Sequence, residues 1–435
     1  MEQNKVTYKD IFKESEYRKL LFAGIINRFG DSVDAIAFTW LVYQITHSAA
    51  WSAIVFALNT LPNVLVQPFA GAIVEKMNKK AVIVATHLLR GLVVVAFALL
   101  YRFEMVNAWV MAMLTLITTT IESFNLPADS AFTAQVIKKE HMTIGMSLSK
   151  MLTGAATLVG TGIAGVIIAA FGVIPAMIID ISTFVVAALL ILLMKHKEVL
   201  AANEKVPHHE MDSDKGNVTK ESFFTLFKDG IAYVAKTPVV RNFCLLCVAL
   251  NFMLIPINAL QAPIASEIFG MGGELLSFAG AFGSIGGIAG AALLPFLARK
   301  LSPLKITCLG IVVLGLGLAG IAFGGIFKGN AVASYAVVSA CFLVMTVAAA
   351  LVGGVIGIQF MKSVDMEYMA RASAVFNATS TAAMPIGSLL VSVLVAHIST
   401  DRILMLSALF AGIVLLVTVL TRPELEKREE LPDAA

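Results

Sequence analysis

The stretch NRFGDSVD, Asn27 to Asp34, places four polar groups inside an otherwise apolar run. At 100° per residue, Asn27, Arg28, Asp31 and Asp34 fall within roughly 120° of arc, so a helix here carries one polar face. Carboxylates on such a face can exchange a proton or hold a cation. Asp34 is the deeper of the two acids and has no basic residue one turn away on its own helix. Asp31 lies three residues from Arg28 and reads either as a proton or substrate site or as half of a structural ion pair. A second polar face lies further on, where Thr115, Thr119 and Glu122 recur at i, i+4 and i+7. Glu122 is a candidate for proton coupling or for holding a cationic substrate. Asp129 sits nearer a helix end, where a solvated or capping role serves equally well. Lys150 and Asp180 have no partner visible in the sequence, and packing pairs would account for them.

These groups matter because their surroundings are so apolar. Hydrophobic residues make up 58% of the 435-residue chain and charged residues 14%, with a mean hydropathy of +0.85. Soluble domains carry about a quarter charged residues. Twelve apolar runs are expected at about 20–45, 51–74, 81–101, 106–132, 144–170, 174–194, 239–266, 273–298, 304–325, 331–360, 371–397 and 402–421. Each is long enough to cross a hydrocarbon core as a helix, the form that satisfies its own backbone there. Charges inside such spans are costly and default to functional candidates. Residues 1–19 are polar and mixed in charge, without the apolar core of a cleaved leader. The four cysteines all fall in apolar segments. Cys244 and Cys247 have zinc-like spacing but no second ligand pair nearby, so packing is the expected role and no metal site or cofactor is expected.

Basic residues set the expected orientation. Twenty-six of them fall on one side of the spans, and three (Arg102, Lys328, Arg402) on the other. The positive-inside rule then places both termini in the cytoplasm. Five parts follow: an N-terminal segment 1–19, a six-span bundle 20–194, a linker 195–238, a second six-span bundle 239–421 and a tail 422–435. The first part of the linker has a flexible composition, and its His208–His209–Glu210 cluster reads as solvated chain rather than as a metal site. In its second part Phe224, Phe227, Ile231 and Val234 recur at helical spacing, which suits a helix lying in the membrane interface. A faint repeat runs at an offset of 224 residues, pairing Asn27 with Asn251, Asp34 with Asn258, and Thr161 with Pro385. It favours a duplicated six-span unit, as expected of secondary transporters.

The loop between the second and third spans is GAIVEKMNKK, Gly71 to Lys80. It resembles the loop signature of the major facilitator superfamily, Gly-x-Leu-x-Asp-Arg-x-Gly-Arg-Lys. Glu75 stands for the acid, Lys76 and Lys79 for arginines, and Asn78 for a glycine, as a residue that tolerates a left-handed turn. Within that superfamily the chain looks most like the drug:proton antiporter branch that includes macrolide-efflux, siderophore-export and lysophospholipid-transport proteins. The stretches that carry this likeness are DSVDAIAFTWLVYQITHSA, LPADSAFTAQVIKKEHMTIGMSLSKM, LFKDGIAYVAKTPVVRN and MARASAVFNATSTAAMPIGSLL. The span-5 stretch GTGIAG, Gly160 to Gly165, keeps the glycines of the antiporter motif but has Thr161 where proline is usual.

The resemblance implies an all-α membrane protein of twelve transmembrane helices in two pseudo-symmetric six-helix bundles. Gly71, Glu75, Lys76, Lys79 and Lys80 would form a conformational latch, with Gly71 admitting a neighbouring helix and Glu75 pairing with a base or helix N-terminus. The alternative is that the lysines anchor the loop at anionic headgroups. Asp34, Asp31 and Glu122 are the proton-coupling candidates. Asn27, Phe38, Thr119, Asn251, Asn258, Gln261, Gln359 and Asn377 are the candidates for the substrate cavity, and Pro256 is expected to break the seventh span. The expected function is proton-coupled efflux of hydrophobic or amphiphilic compounds by alternating access. Movement of lysophospholipids or siderophores is the alternative within transport, and a membrane receptor or intramembrane enzyme the alternative outside it. The expected partners are a small substrate, protons and lipids but no nucleic acid, and the protein is expected to be a monomer.

Overall fold

The computed structural model describes residues 14–138, 141–195, 223–365 and 368–421. Residues 1–13, 139–140, 196–222 (with His208, His209 and Glu210), 366–367 and 422–435 lie outside the described residues. Among the described residues there are fourteen principal helices and no strand. In chain order they are α1 (Ser15–Thr46), α2 (Ala49–Leu65), α3 (Gln67–Glu75), α4 (Lys79–Arg102), α5 (Ala108–Val136), α6 (Met142–Phe171) and α7 (Val173–Leu192). Then follow α8 (Phe223–Lys236), α9 (Pro238–Ala259), α10 (Glu274–Lys300), α11 (Pro303–Ala322), α12 (Ala331–Ser363), α13 (Met369–Leu394) and α14 (Thr400–Thr421).

All twelve expected spans fall on helix. Among the described residues nine helices are long and apolar enough to cross a membrane, and ten if α2 and α3 count as one bent span. The two spans below that threshold are α1 and α5. They are the helices that carry Asn27, Arg28, Asp31 and Asp34, and Thr115, Thr119 and Glu122. Their polar faces lower their hydropathy and demand protein or water alongside rather than lipid.

Two spans are interrupted, each at a proline. Between α2 and α3 the chain bends by 43°. Pro68 has no N–H to give the Val64 carbonyl, and the next turn closes tightly, with Phe69 N bonding Val66 O at 3.0 Å. The seventh span does not break at Pro256, as expected from sequence: α9 continues past it to Ala259. The break falls at Leu260, where Pro263 withholds a donor from the Ala259 carbonyl. The chain resumes as a short turn, Gln261–Pro263, and a π-helical segment, Ile264–Ile268.

The chain divides into two compact units. The first gathers α1 to α7 together with residues 272–281, and the second holds the rest from α8 onward. In the first unit α1 packs on α6 and α7, α4 packs on α5 and α7, and α2 and α3 pack on α5. Gly30 sets the α1–α7 spacing, because a Cβ there would run into the Thr183 side chain and come within 2.9 Å of Asp180 Oδ1. The end of this unit where α1 begins has an apolar core that includes Tyr17, Leu20, Leu21, Ile83, Phe132 and Ile191. Polar ties surround that core. The Tyr17 hydroxyl donates to Gly145 O (2.7 Å), and Glu14 accepts from His141 (2.8 Å) and Lys138 (3.4 Å). Lys19 and Lys80 cap the α7 C-terminus, Lys19 through Leu193 O (3.1 Å) and Lys80 through Leu192 O (2.9 Å) and Met194 O (2.6 Å).

In the second unit α9 packs on α12, α13 and α14, and α11 packs on α12 and α14. The amphipathic second part of the linker is helical, as α8, and docks on α13. Tyr233 stacks on Tyr368 at 4.5 Å, and its hydroxyl donates to Asp365 Oδ2 at 3.1 Å.

Two expectations about the loop signature need correction. Asn78 is not left-handed: it adopts extended φ and ψ of −70° and 108° and caps α4, its side chain accepting from Ala81 N at 3.2 Å. An N-cap position rewards a short side-chain acceptor, which asparagine supplies and glycine does not. Gly71 admits no close neighbour either, since a Cβ added there would meet nothing within 4 Å. The two glycines therefore have opposite expected responses to alanine. Gly71→Ala, in open space within α3, should leave thermal stability unchanged or raise it by up to about 1 kcal/mol. Gly30→Ala should lower it by about 1–3 kcal/mol through overpacking against Thr183. Thermal unfolding of the two variants in the same detergent reads the difference, and equal shifts would refute this account of α1–α7 packing.

Candidate functional site

The first unit contains a cavity of about 250 Å³ lined from α1, α4, α5, α6 and α7. It begins at Tyr17, in the first turn of α1, and reaches Asp31 fourteen residues further in, about 21 Å along the helix at 1.5 Å per residue. That depth is most of a hydrocarbon core about 30 Å thick. Three carboxylates line it (Asp31, Glu122, Asp129), with Arg28, Arg90 and His87 as the basic groups and Asn27 and Asn125 as amides.

At its inner end Arg90 Nη2 donates to Asp31 Oδ1 at 2.9 Å. Both side chains are largely buried, and Asn27 donates to the other carboxylate oxygen, Oδ2, at 2.8 Å. Asp31 thus has both oxygens engaged, one by a partner on α4 and one by its own helix. The Arg28 partner that its spacing allowed is not the one it takes; Arg28 is exposed. The Arg90 guanidinium also lies over the Phe184 ring of α7, 4.6 Å from its centroid. Such stacking partly offsets the loss of water around a cation. Arg90 is within electrostatic reach of Glu122 and Asp180 as well as Asp31, and Asp34 interacts with Arg90 and Asp31 in turn.

The proton-coupling candidates are therefore gathered around Arg90, with Asp31 in contact with it and Asp34 and Glu122 within its field. The cavity candidates separate. Asn27 lines the cavity, whereas Thr119 does not: it is 2% exposed, and its hydroxyl donates to Thr115 O at 2.8 Å. A threonine that bonds back one turn has little left to offer a ligand. Phe38 packs edge-on against Phe97 at 5.5 Å and is not in the cavity lining. The remaining candidates belong to the second unit. Asn251 donates back to Cys247 O at 3.0 Å and Asn258 to Leu254 O at 2.9 Å. Gln261 follows the break in the seventh span, Gln359 is half-buried and Asn377 is exposed. Cys247 Sγ accepts from Ser380 at 3.2 Å, so this sulfur takes part in polar contacts as well as packing.

Of the loop residues, Glu75 and Lys76 are exposed, and no ion pair involves Glu75 among the described residues. Lys79 donates to Glu75 O at 2.6 Å and Lys80 to the end of α7, so these two lysines are engaged locally within the first unit.

Sequence reasoning passed over Arg90, His87 and Asn125. Arg90 lies twelve residues inside α4, and a guanidinium at that depth was itself the signal that marks a functional group. Its partner could not be read, because that depends on how α4 rotates against α1.

A buried ion pair with surplus acids, set in helices of membrane length, meets a decisive comparison: the sequence pattern of the Major Facilitator Superfamily matches residues 20–388. The chain belongs to the major facilitator superfamily. Among superfamily relatives it is similar to the multidrug efflux pump Tap of Mycolicibacterium fortuitum, 25% identical over 292 residues that cover 65% of this chain and 67% of that one. It is also similar to the uncharacterised MFS-type transporter YkuC of Bacillus subtilis, 23% identical over 301 residues, 68% of this chain and 67% of that one. The fold matches the nucleoside transporter NupG, with a TM-score of 0.72 at 13% identity over 95% of this chain and 100% of that one. A bacterial homolog of the human lysosomal transporter Spinster matches with a TM-score of 0.66 at 11% identity, over 96% and 98% of the two chains. The protein is thus an integral membrane transporter of the superfamily fold.

Removing one member of a buried pair strands the other, at a cost of about 3–5 kcal/mol. Arg90→Ala should therefore destabilise the protein by that order, and adding Asp31→Asn to it should recover a substantial part of the loss. Thermal unfolding of the two single variants and the double variant measures this. Strict additivity would show that the pair does not couple α1 to α4.

Proposed function

We propose that this transporter is a proton-coupled exporter of hydrophobic or amphiphilic compounds working by alternating access. The observation that carries the reading is the cavity. Three carboxylates line it together with one buried guanidinium, and in this reading water that enters the cavity delivers or removes the proton. Similarity to a protein named as a multidrug efflux pump supports efflux of varied compounds as the direction and breadth of transport. The likeness to nucleoside and other transporters supports the fold alone.

Asp34, Asp31 and Glu122 are the proton-coupling groups in this proposal. Proton binding shifts the balance of inward- and outward-facing states to the extent that it is tighter in one of them. Asn27 lines the substrate path in the first unit. In the second unit Asn251, Asn258, Gln261, Gln359 and Asn377 are the polar candidates, and Phe38 and Thr119 act through helix packing rather than as cavity lining. Glu75 is the acid of the loop latch. The excess of basic residues on one side of the spans supports cytoplasmic termini in a bacterial inner or plasma membrane. The working unit in this reading is a monomer.

The test is purified protein in vesicles under an imposed proton gradient, with ethidium, erythromycin and a lysophospholipid offered in turn. At least one of the three should accumulate against its gradient, and collapse of the proton gradient should abolish that accumulation. Asp34→Asn and Glu122→Gln should each lower uphill accumulation by about tenfold or more while inserting normally. Movement of every compound at the same rate with and without the gradient would remove the antiport reading.

A further inference from the structure

Asp180 lies in the third turn of α7 and is 1% exposed. Its Oδ1 has no hydrogen-bond partner. That oxygen faces the bare backbone of Gly30 on α1, where even a methyl group would come within 2.9 Å of it. The Thr183 hydroxyl stands beside this carboxylate but donates to the Asp180 backbone carbonyl, at 2.7 Å. A buried carboxyl kept for packing would be expected to have both oxygens satisfied, because an unmet acceptor in an apolar surrounding costs about 1–3 kcal/mol.

Gly30, which meets Asp180, is followed on α1 by Asp31, and Phe184, one turn along α7 from Asp180, has the Arg90 guanidinium of α4 over its ring at 4.6 Å, so the charged groups on this side of Asp180 are Asp31 and Asp34 from α1 and Arg90 from α4. His87, also on α4, packs against Phe184 of α7 with ring centroids 6.0 Å apart, and its Nδ1 has no partner. From α6, Lys150 is exposed and is not among the groups acting on Asp180. Asp31 and Asp180 thus belong to the two helices, α1 and α7, that hold one buried guanidinium between an ion pair and a ring. An ionised carboxylate buried without a donor on one oxygen is costly, whereas the same group holding its proton carries no charge. Arg90 also has capacity to spare: one Nη is committed to Asp31, while its Nε has no partner.

We propose that Asp180 is a further proton-carrying residue of the transport cycle and that it shares Arg90 with Asp31. This rests on the proton-coupled reading above and adds to it a group and a route. In one state Asp31 is the carboxylate paired with Arg90, and Asp180 is the neutral acid. In the other the Asp180 O–H has broken, the proton has joined a carboxylate oxygen of Asp31, and Arg90 pairs with the Asp180 carboxylate. The charge of the trio is unchanged by this exchange. It changes when Asp31, which lines the cavity, gives the proton to water there. Because Asp180 is not in the cavity lining, its proton is sealed from that water until Asp31 accepts it.

Infrared difference spectra of the purified full chain in detergent, recorded across a pH titration, read the protonated carboxyl groups directly. The wild type should show a protonated-carboxyl C=O band that Asp180→Asn removes. Asp31→Asn should remove the same band at neutral pH, because Arg90 then turns to Asp180 and ionises it. A band kept in full by Asp180→Asn shows that Asp180 holds no proton. A band kept in full by Asp31→Asn shows that the two acids do not share Arg90. Either result overturns the proposal, and the Asp31 arm decides it even where Asp180→Asn fails to fold. In vesicles, Asp180→Asn should lower gradient-driven ethidium accumulation by about tenfold or more. Should wild type move no compound uphill while both spectra change as stated, the coupled-efflux reading fails and the shared proton site stands.

Discussion

The ion pair between Asp31 and Arg90 is the constraint around which the first unit is arranged. Each ion costs several kcal/mol to remove from water, and their mutual attraction offsets that only if the remaining hydrogen-bonding capacity is met. Asn27 meets it on the acid, and the Phe184 ring lies against the base. Those two helpers come from α1 and α7, so the pair fixes α4 against both neighbours. Gly91, next to Arg90, has the same consequence: a Cβ there would touch Phe184 at 3.4 Å, so α4 and α7 are already at ordinary contact distance. The close approach at Gly30 completes the triangle by bringing α1 onto α7. A charge pair inside a membrane protein is thus bought with backbone proximity on three sides.

That arrangement explains why the two least apolar spans are inside the unit. A lipid-facing α1 would expose Asn27, Asp31 and Asp34 to hydrocarbon, where no partner exists. Packed on α6 and α7, it turns these groups toward Arg90 and the cavity. The polar ties at the Tyr17 end act differently. Lys19 and Lys80 satisfy carbonyls at the end of α7 that no helical donor can reach, and Glu14 draws together the ends of α5 and α6. These contacts lie where water competes, so each is individually weak. Together they fix how the helices enter the bundle, while the inner cluster fixes how they are rotated.

Much of this was legible in the sequence. The twelve apolar runs all fall on helix, and of the four groups in the 120° arc Asn27, Arg28 and Asp31 line the cavity. What one helix says about itself could be read; what it says to another could not. Arg28 was the visible neighbour of Asp31, one turn away, but the partner is Arg90, 59 residues on. Asp180 showed only as an unexplained charge, because its environment is made by a glycine on a different helix. Thr119 sits at the right spacing beside Glu122, yet points into the α2–α5 contact, within 3.5 Å of Leu58 O. Local chemistry misled at Asn78 as well, where one residue type serves equally in a left-handed turn and at a helix N-cap. At the seventh span two prolines were available, and the one that withholds a donor at the break is Pro263 rather than Pro256.

The second unit clarifies why the charges are concentrated in the first. At the positions that the repeat pairs with Asn27 and Asp34 it has Asn251 and Asn258, and each amide bonds back to its own helix one turn earlier. Such groups meet their needs locally and ask nothing of a neighbouring helix, so the second unit carries polar atoms without paired ions at these positions. Its irregularity is in the backbone instead, in the break at Leu260 and the π-helical segment after it. Two copies of a six-span unit that both held surplus buried acids would bear the desolvation cost twice. One proton-binding cluster is enough to make a two-state equilibrium depend on pH, because coupling requires only that the proton bind one state more tightly. At these two paired positions the first unit has groups of the charged cluster and the second has amides that bond back to their own helix, which is the less costly arrangement.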